Sequence, residues 1–172
     1  MEMITKLIDN NRIQKKIIEL AGILSNNGGK DLVIIGVMNG SFYFMKDLIN
    51  YLKIDYRYDF VFCSSYYGET KSSGSVDFLY PNKEDISGKN VVVLEDIVDT
   101  GETLLSLKDN LSIFEPKSLR FCSLIVRESC HLNRNLFWTG FKIKNEFVVG
   151  YGLDYDGDYR NLVDIYKLNN TK

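Results

Sequence analysis

The sequence predicts an α/β fold on a central, mainly parallel sheet, and three observations lead there. Short, nearly continuous apolar runs recur at 31–37, 91–95 and 118–126, as strands covered on both faces do. Segments of helical period separate them, so strands and helices alternate in the manner of βαβ units with right-handed crossovers. Only two prolines occur, Pro81 and Pro116, and no repeat, low-complexity segment or linker is visible. The 172 residues therefore read as one domain, 1–172.

Ile13, Ile17, Leu20, Ala21 and Leu24 recur at helical spacing after an Asn10-Asn11 cap candidate, and "NNGG" at 26–29 ends the pattern. "DLVIIGV" at 31–37 is the first buried strand, and "GSFYFMKDLINYL" at 40–52 returns to helical period. A second extended run, "YRYDFVFC", covers 56–63. "SSYYGETKSSGS" at 64–75 has no apolar period and is rich in Gly, Ser and Thr, which predicts a mobile loop. A strand over 91–95, a helix over 102–113 and a strand over 118–126 complete the alternation.

Composition narrows the function. The chain is 45% hydrophobic and 26% charged, enough to bury a sizeable core. Its 21 basic and 23 acidic residues give a formal charge of −2 with no long run of either sign. That leaves no electrostatic footprint for nucleic acid or an anionic membrane and points to small-molecule partners. No stretch approaches the ~18 apolar residues of a membrane span. The start, "MEMITKLIDNNR", lacks a signal peptide's apolar segment, so a cytoplasmic protein is expected. Cys63, Cys122 and Cys130 show no CxxC spacing, and the first two sit in apolar runs as buried reduced thiols do. His131 is the single histidine, which excludes a multi-histidine zinc site and leaves any Ser/His or Cys/His triad dependent on it. Its neighbour Cys130 is a poor partner, because adjacent residues seldom face each other; His131 reads as a surface-loop residue.

The chemistry concentrates in "VVVLEDIVDTGETL" at 91–104. Glu95 and Asp96 stand where the strand is expected to end, with diverging side chains that present two carboxylates to a polyol such as ribose. Asp99, Thr100, Gly101 and Thr103 then form a loop running into a helix N-terminus. Backbone N–H groups, the helix dipole and two hydroxyls make that turn a phosphate cradle, and Gly101 allows close backbone approach. Carboxylates repel phosphate, so one end of the motif holds hydroxyls and the other a monophosphate; a ribose 5-phosphate satisfies both. A capped αβ junction accounts for the Asp-Thr-Gly turn taken alone. It does not account for the apolar run, the paired acids and the turn in register.

This motif resembles the phosphoribosyl pyrophosphate signature of the type I phosphoribosyltransferases. From about residue 10 to 166 the chain is similar to their hypoxanthine-guanine branch, through "GVMNGSFYFMKDL" at 36–48, "CSSYYGETKSSGSV" at 63–76 and "GFKIKNEFVVGYGLDYDGDYRNL" at 140–162. The resemblance implies a Rossmann-like type I phosphoribosyltransferase fold with a small hood built from terminal segments. It implies purine salvage: transfer of the 5-phosphoribosyl group from phosphoribosyl pyrophosphate to a 6-oxopurine such as hypoxanthine or guanine, with Mg2+, giving IMP or GMP and pyrophosphate. A homodimer or homotetramer is implied as well.

Residue by residue, the resemblance has Glu95 and Asp96 hold the ribose hydroxyls and, with Asp154, approach the magnesium ion. Thr100, Gly101, Glu102 and Thr103 hold the 5-phosphate. Asp99 is the general base at purine nitrogen 7 and stabilises the oxocarbenium-like sugar. Asn39, Gly40 and Arg160 contact pyrophosphate. Phe147 stacks on the purine, the backbone at Val148 reads its edge, Arg127 stands at oxygen 6, and Asp154 lies beside the purine site. Ser65 and Tyr66 belong to a flexible loop that closes over the reacting centre and excludes water. Without the resemblance, Phe147 and Val148 read as an ordinary buried strand, and Asp154 and Arg160 as solvated charges.

Three departures stand out. Asn39 occupies the place of a family lysine in the first loop, where the family often has a cis peptide. Arg127 replaces the lysine at oxygen 6, a rigid fork in place of a compact point charge. His131 falls where an arginine often assists pyrophosphate binding. Arg127 keeps a xanthine-preferring phosphoribosyltransferase open as an alternative. A nucleotide-sensing regulator of the same fold is the other, although the absence of a basic cluster argues against RNA binding and Asp99 argues for chemistry.

Overall fold

The computed structural model describes residues 4–63, 78–79, 84–130 and 137–169, with the side chains of 63, 78 and 79 left aside. Nine strands and three helices follow in the order β1 (Ile4–Ile8), α1 (Asn10–Asn27), β2 (Leu32–Met38), α2 (Phe42–Asn50), β3 (Tyr56–Cys63), β4 (Phe78–Leu79), β5 (Asn90–Val98), α3 (Glu102–Ser112), β6 (Ser118–Arg127), β7 (Phe137–Ile143), β8 (Val148–Val149) and β9 (Ile165–Leu168) among the described residues. The main sheet runs β4-β3-β2-β5-β6-β7. Its β3, β2, β5, β6 and β7 are parallel, and β4 joins the edge antiparallel. A second, antiparallel sheet of order β1-β9-β8 is made from the two ends of the chain. The expected α/β architecture and its hood of terminal segments are both present.

Burial explains the layers. Ile13, Ile17, Leu20, Ala21 and Leu24 of α1 and Phe44, Met45 and Leu48 of α2 pack over Leu32, Ile34, Val92, Leu94, Cys122 and Leu124. On the other face, Leu104, Leu107 and Leu111 of α3 cover Val33, Ile35, Val37, Val61, Val91 and Val93. Successive strand residues point to opposite faces, so the continuous apolar runs of β2 and β5 serve both layers at once. Each fully buried aliphatic side chain contributes about 1.5–3 kcal/mol. In the sheet order, α2 leads from β2 outward to β3, while α3 leads from β5 the other way to β6. Right-handed crossovers in opposite directions put these helices on opposite faces. The connections therefore diverge between β2 and β5, where open α/β sheets bind ligands.

The structure corrects several expectations. The cap of α1 is Asp9, whose carboxylate accepts from the Arg12 N–H at 3.0 Å. Asn10 is already helical, and its N–H donates to Asp164 Oδ1 at 2.7 Å. Strand β5 does not stop at the acidic pair but continues to Val98, because Ile97 and Val98 go on pairing with Ile125 and Val126. Its alternation slips there: Ile97 packs in the layer of Val92 and Leu94, and Val98 in the layer of Val91 and Val93. Helix α3 starts at Glu102 as expected, and Thr103, grouped with the loop before it, lies in its first turn. Strands β1, β4, β7 and β9 have no counterpart in the apolar-run pattern, and β8 holds Val148 of the Phe147-Val148 segment read as a buried strand.

Cys122 is a free, buried thiol pushed far above its ordinary pKa by burial, and Cys130 is free and half-buried. Ser65, Tyr66 and His131, and the side chain of Cys63, lie outside the described residues. Among the described residues, no helix is long and apolar enough to cross a membrane.

Candidate active site

Four segments meet at the carboxyl end of the sheet: the turn after β2, the second half of β5 with the start of α3, the end of β6, and the turn at 150–154 that follows β8. The β2 turn and the 150–154 turn interlock through main chain. Met38 and Asn39 are joined by a cis peptide bond, the feature the family often shows in this loop. A methyl group on Gly40 would come within 1.9 Å of Asp96 Oδ2, and one on Gly152 within 2.3 Å of the Gly40 carbonyl oxygen. No other residue type fits either place without displacing its neighbour. Gly152 also has φ +98°, a conformation that glycine takes most easily.

Behind Gly40, the acidic pair is electrostatically tense. Glu95 carries a carboxyl oxygen, Oε2, that is buried and finds no hydrogen-bond partner among the described residues. Burial, followed by the neighbouring negative charge of Asp96, pushes Glu95 well above the usual carboxylate range. Burial raises Asp96 too, against donors that favour its charged form, among them the Ile97 N–H at 2.8 Å, and against the positive charge of Arg160. Arg160 pairs with Asp154 Oδ1 at 2.7 Å and donates through Nη1 to the Gly152 carbonyl at 2.6 Å. Asp154 Oδ2 accepts from the Gly157 N–H at 2.9 Å. Thus Asn39, Gly40, Asp96, Asp154 and Arg160 belong to one end of the site, although Asp154 and Arg160 spend part of their capacity on each other.

The phosphate-cradle geometry follows β5. Gly101 caps α3 in the left-handed region at φ 91°, and the Thr100 hydroxyl accepts from the Glu102 N–H at 3.3 Å. Cys130 Sγ donates to the Thr100 carbonyl at 3.5 Å, which ties the segment after β6 to this turn. Gly101 has no side chain with which to cap α3, so beyond the Glu102 N–H taken by Thr100 the N–H groups of the first turn can serve an anion.

At the other end, Arg127 lies at the close of β6. Its Nε donates to Asp99 Oδ1 at 2.8 Å, and its Nη1 to the carbonyls of Lys144 and Glu146 at 3.1 and 3.0 Å. Asp99 is 65% exposed and Arg127 only 13%. The arginine is thus a fixed strut, and the carboxylate stands out from it. Glu146 precedes Phe147, which is 44% exposed and meets the Tyr155 ring edge-on at 5.6 Å. The plain reading of Phe147 as a buried strand residue fails, since it precedes β8 and keeps a free face. Val148, 5% exposed, does sit in β8 and pairs with Lys167. A cavity of about 510 Å³ opens beside them, lined by Asn145, Glu146, Phe147, Lys167, Leu168 and Asn169.

The donor chemistry fits a magnesium ion: Glu95, Asp96 and Asp154 offer hard carboxylate oxygens, and Glu95 Oε2 is an orphaned buried acceptor. Among the described residues, no three His, Cys, Asp or Glu side chains converge to hold a metal unaided. Sequence reasoning missed Tyr151 and Gly152, whose signal was the "GYG" inside the quoted purine-branch block.

Comparison with known proteins agrees with this geometry. Residues 3–156 match the phosphoribosyl transferase domain family. The chain is 40% identical over 164 residues to the hypoxanthine-guanine phosphoribosyltransferase of Mycobacterium bovis, covering 91% of this chain and 81% of that one. It is 39% identical over 166 residues to the hypoxanthine phosphoribosyltransferase of Escherichia coli, covering 94% and 93%. The crystal structure of a Bacillus anthracis hypoxanthine-guanine phosphoribosyltransferase superimposes with a TM-score of 0.87 at 39% identity, over 98% of this chain and 100% of that one.

Proposed function

Since the chain belongs to the phosphoribosyl transferase domain family, we propose that it is a purine-salvage enzyme that transfers the 5-phosphoribosyl group of phosphoribosyl pyrophosphate to a 6-oxopurine. Hypoxanthine and guanine are the acceptors, and IMP or GMP and pyrophosphate the products. The observation that carries the reading is the arrangement along β5 and into α3: a desolvated acidic pair, an exposed Asp99 and a helix N-terminus, which offer separate partners to the hydroxyls, the reacting centre and the phosphate of one phosphoribosyl group.

In this site Glu95 and Asp96 receive the ribose hydroxyls, while Thr100 to Thr103 bind the 5-phosphate. Gly40, the Asn39 backbone and Arg160 hold the pyrophosphate. Phe147 offers its free face to the purine, and the Val148 backbone reads the edge. Arg127 fixes Oδ1 of Asp99 and leaves Oδ2 to accept the proton of purine nitrogen 7. As that proton leaves, nitrogen 9 forms its bond to C1′ and the C1′–oxygen bond to pyrophosphate breaks. The Asp99 carboxylate also faces the cationic sugar of the transition state. Glu95, Asp96 and Asp154 are the carboxylates that would contribute to holding a magnesium ion, which would supply charge neutralisation at the departing pyrophosphate. Ser65 and Tyr66 are assigned to the loop that shields the reaction. A homodimer or homotetramer in the cytoplasm completes the reading; exposed Phe42, Tyr51 and Tyr58 offer apolar area for such contacts, and sedimentation measures it.

The test is to incubate the protein with phosphoribosyl pyrophosphate, Mg2+ and, separately, hypoxanthine, guanine, xanthine or adenine, following nucleotide and pyrophosphate. Turnover with hypoxanthine and guanine is expected. Turnover chiefly with xanthine assigns the Arg127 strut to a different base, and nucleotide binding without turnover leaves the regulator reading in its place.

A further inference from the structure

Tyr151 has no part in the chemistry assigned above, yet its side chain and backbone are both held. It stands between Gly150 and Gly152 at φ +53°, the left-handed region that a bulky residue occupies only under constraint. The constraint is visible: its side chain is 3% exposed, and its hydroxyl donates to Asp47 Oδ2 at 2.5 Å. The same oxygen accepts from Gln14 Nε2 at 2.7 Å, and Lys46 pairs with Asp47 Oδ1 at 3.1 Å. Gln14 belongs to α1 and Asp47 to α2, so the turn is bolted to both helices of one layer. Its backbone is held as well, since Tyr151 N–H donates to Leu162 O at 2.7 Å and Gly152 N–H to Arg160 O at 3.0 Å.

From that anchor a chain of contacts leads into the site. The next residue, Gly152, presses on the Gly40 carbonyl and accepts from Arg160, and Gly40 presses on Asp96. We propose that the Tyr151 hydroxyl, clamped on Asp47 and Gln14, is a positioning device that sets how far the 150–154 turn reaches toward the pyrophosphate loop. Tyr151 thereby governs the grip on the pyrophosphate end and leaves the purine end alone. The inference rests on the phosphoribosyl transfer reading.

Tyr151→Phe removes the hydroxyl and keeps the ring against Tyr43, 5.9 Å away between centroids. Expected are a rise of about tenfold in both KM for phosphoribosyl pyrophosphate and the calorimetric Kd for its magnesium complex, with the purine KM within about twofold of wild type. Asp47→Asn, made in the wild-type chain and keeping an acceptor oxygen for the Tyr151 hydroxyl, is expected to lose less than Tyr151→Phe. An insoluble Tyr151→Phe is replaced by Gln14→Leu, read in the same way with an expected rise of about threefold. A variant that unfolds earlier but keeps both affinities, or loses both equally, overturns the clamp. Wild-type protein that forms no nucleotide rejects the transfer reading instead.

Discussion

At the end assigned to pyrophosphate the chain is packed without slack: a methyl group on Gly152 would stand 2.3 Å from the Gly40 carbonyl oxygen, and one on Gly40 1.9 Å from the Asp96 carboxylate. At the purine end, side chains stand apart. Phe147 touches Tyr155 by one edge, and Asp99 is exposed and steadied by a single arginine. The first end has no room to adjust and is preorganised by packing. The second can reorient around its ligand, and its precision depends on few contacts. Damage to the two ends should therefore look different in kinetics.

The sharpest break is Asp99→Asn, which keeps the shape of the exposed end and removes its base. Turnover is expected to fall at least 10²-fold with substrate binding retained; steady-state kinetics beside calorimetry reads both, and near-normal kcat removes the assignment. Gly40→Ala attacks the tight end. Its extra carbon displaces either Asp96 or the loop, and kcat/KM for phosphoribosyl pyrophosphate should drop by about 10²-fold while the purine KM barely moves. Phe147→Leu should do the converse, raising the purine KM about tenfold, as expected from a lost base–aromatic stack of about 1–3 kcal/mol. Equal effects of these two variants on both substrates would erase the distinction between the ends.

The smallest effect concerns the anchor behind the tight end. Burial raises Asp47, but hydrogen bonds from Tyr151, Gln14 and Lys46 outweigh it and hold the carboxyl below its ordinary value. A lowered folded-state pKa stabilises above the unfolded value of about 3.9, and that stability disappears as pH falls through the lower folded value. Asp47→Asn should accordingly flatten the acid limb of thermal stability below pH ~4 and change little at neutral pH. A limb that stays as steep assigns the dependence to other carboxylates.

Sequence made the central layers readable because strands covered on both faces must be apolar throughout. The small sheet was hidden for the opposite reason. "ITKLI" is neither a continuous apolar run nor an alternation, and β8 has only two residues, so neither carries a strong signal of its own. The end of β5 was misplaced because polar residues usually close a strand; here Ile97 and Val98 carry the ladder on past buried acids. Asp9 was missed as a cap since Asn10 and Asn11 are equally good cap residues, and only Asp164, from the far end of the chain, decides between them. Asp99, the acidic pair and the glycine turn were legible as one local motif. The contact of Gly152 with Gly40 was not, because no local pattern joins segments that only tertiary folding brings together.

The β2 turn has a consequence for heredity. A codon change can exchange a side chain but cannot exchange a carbonyl or an amide, so recognition built from Gly40 and Gly152 offers mutation nothing to retune. Single substitutions there have one direction open, loss. In the proposed reading residues 127 and 147 are different, since side chains act there, Phe147 against the base and Arg127 behind Asp99. A lineage carrying this gene can therefore change the base end one substitution at a time, while the backbone share of its grip on the donor stays fixed by a part of the molecule that the genetic code does not spell.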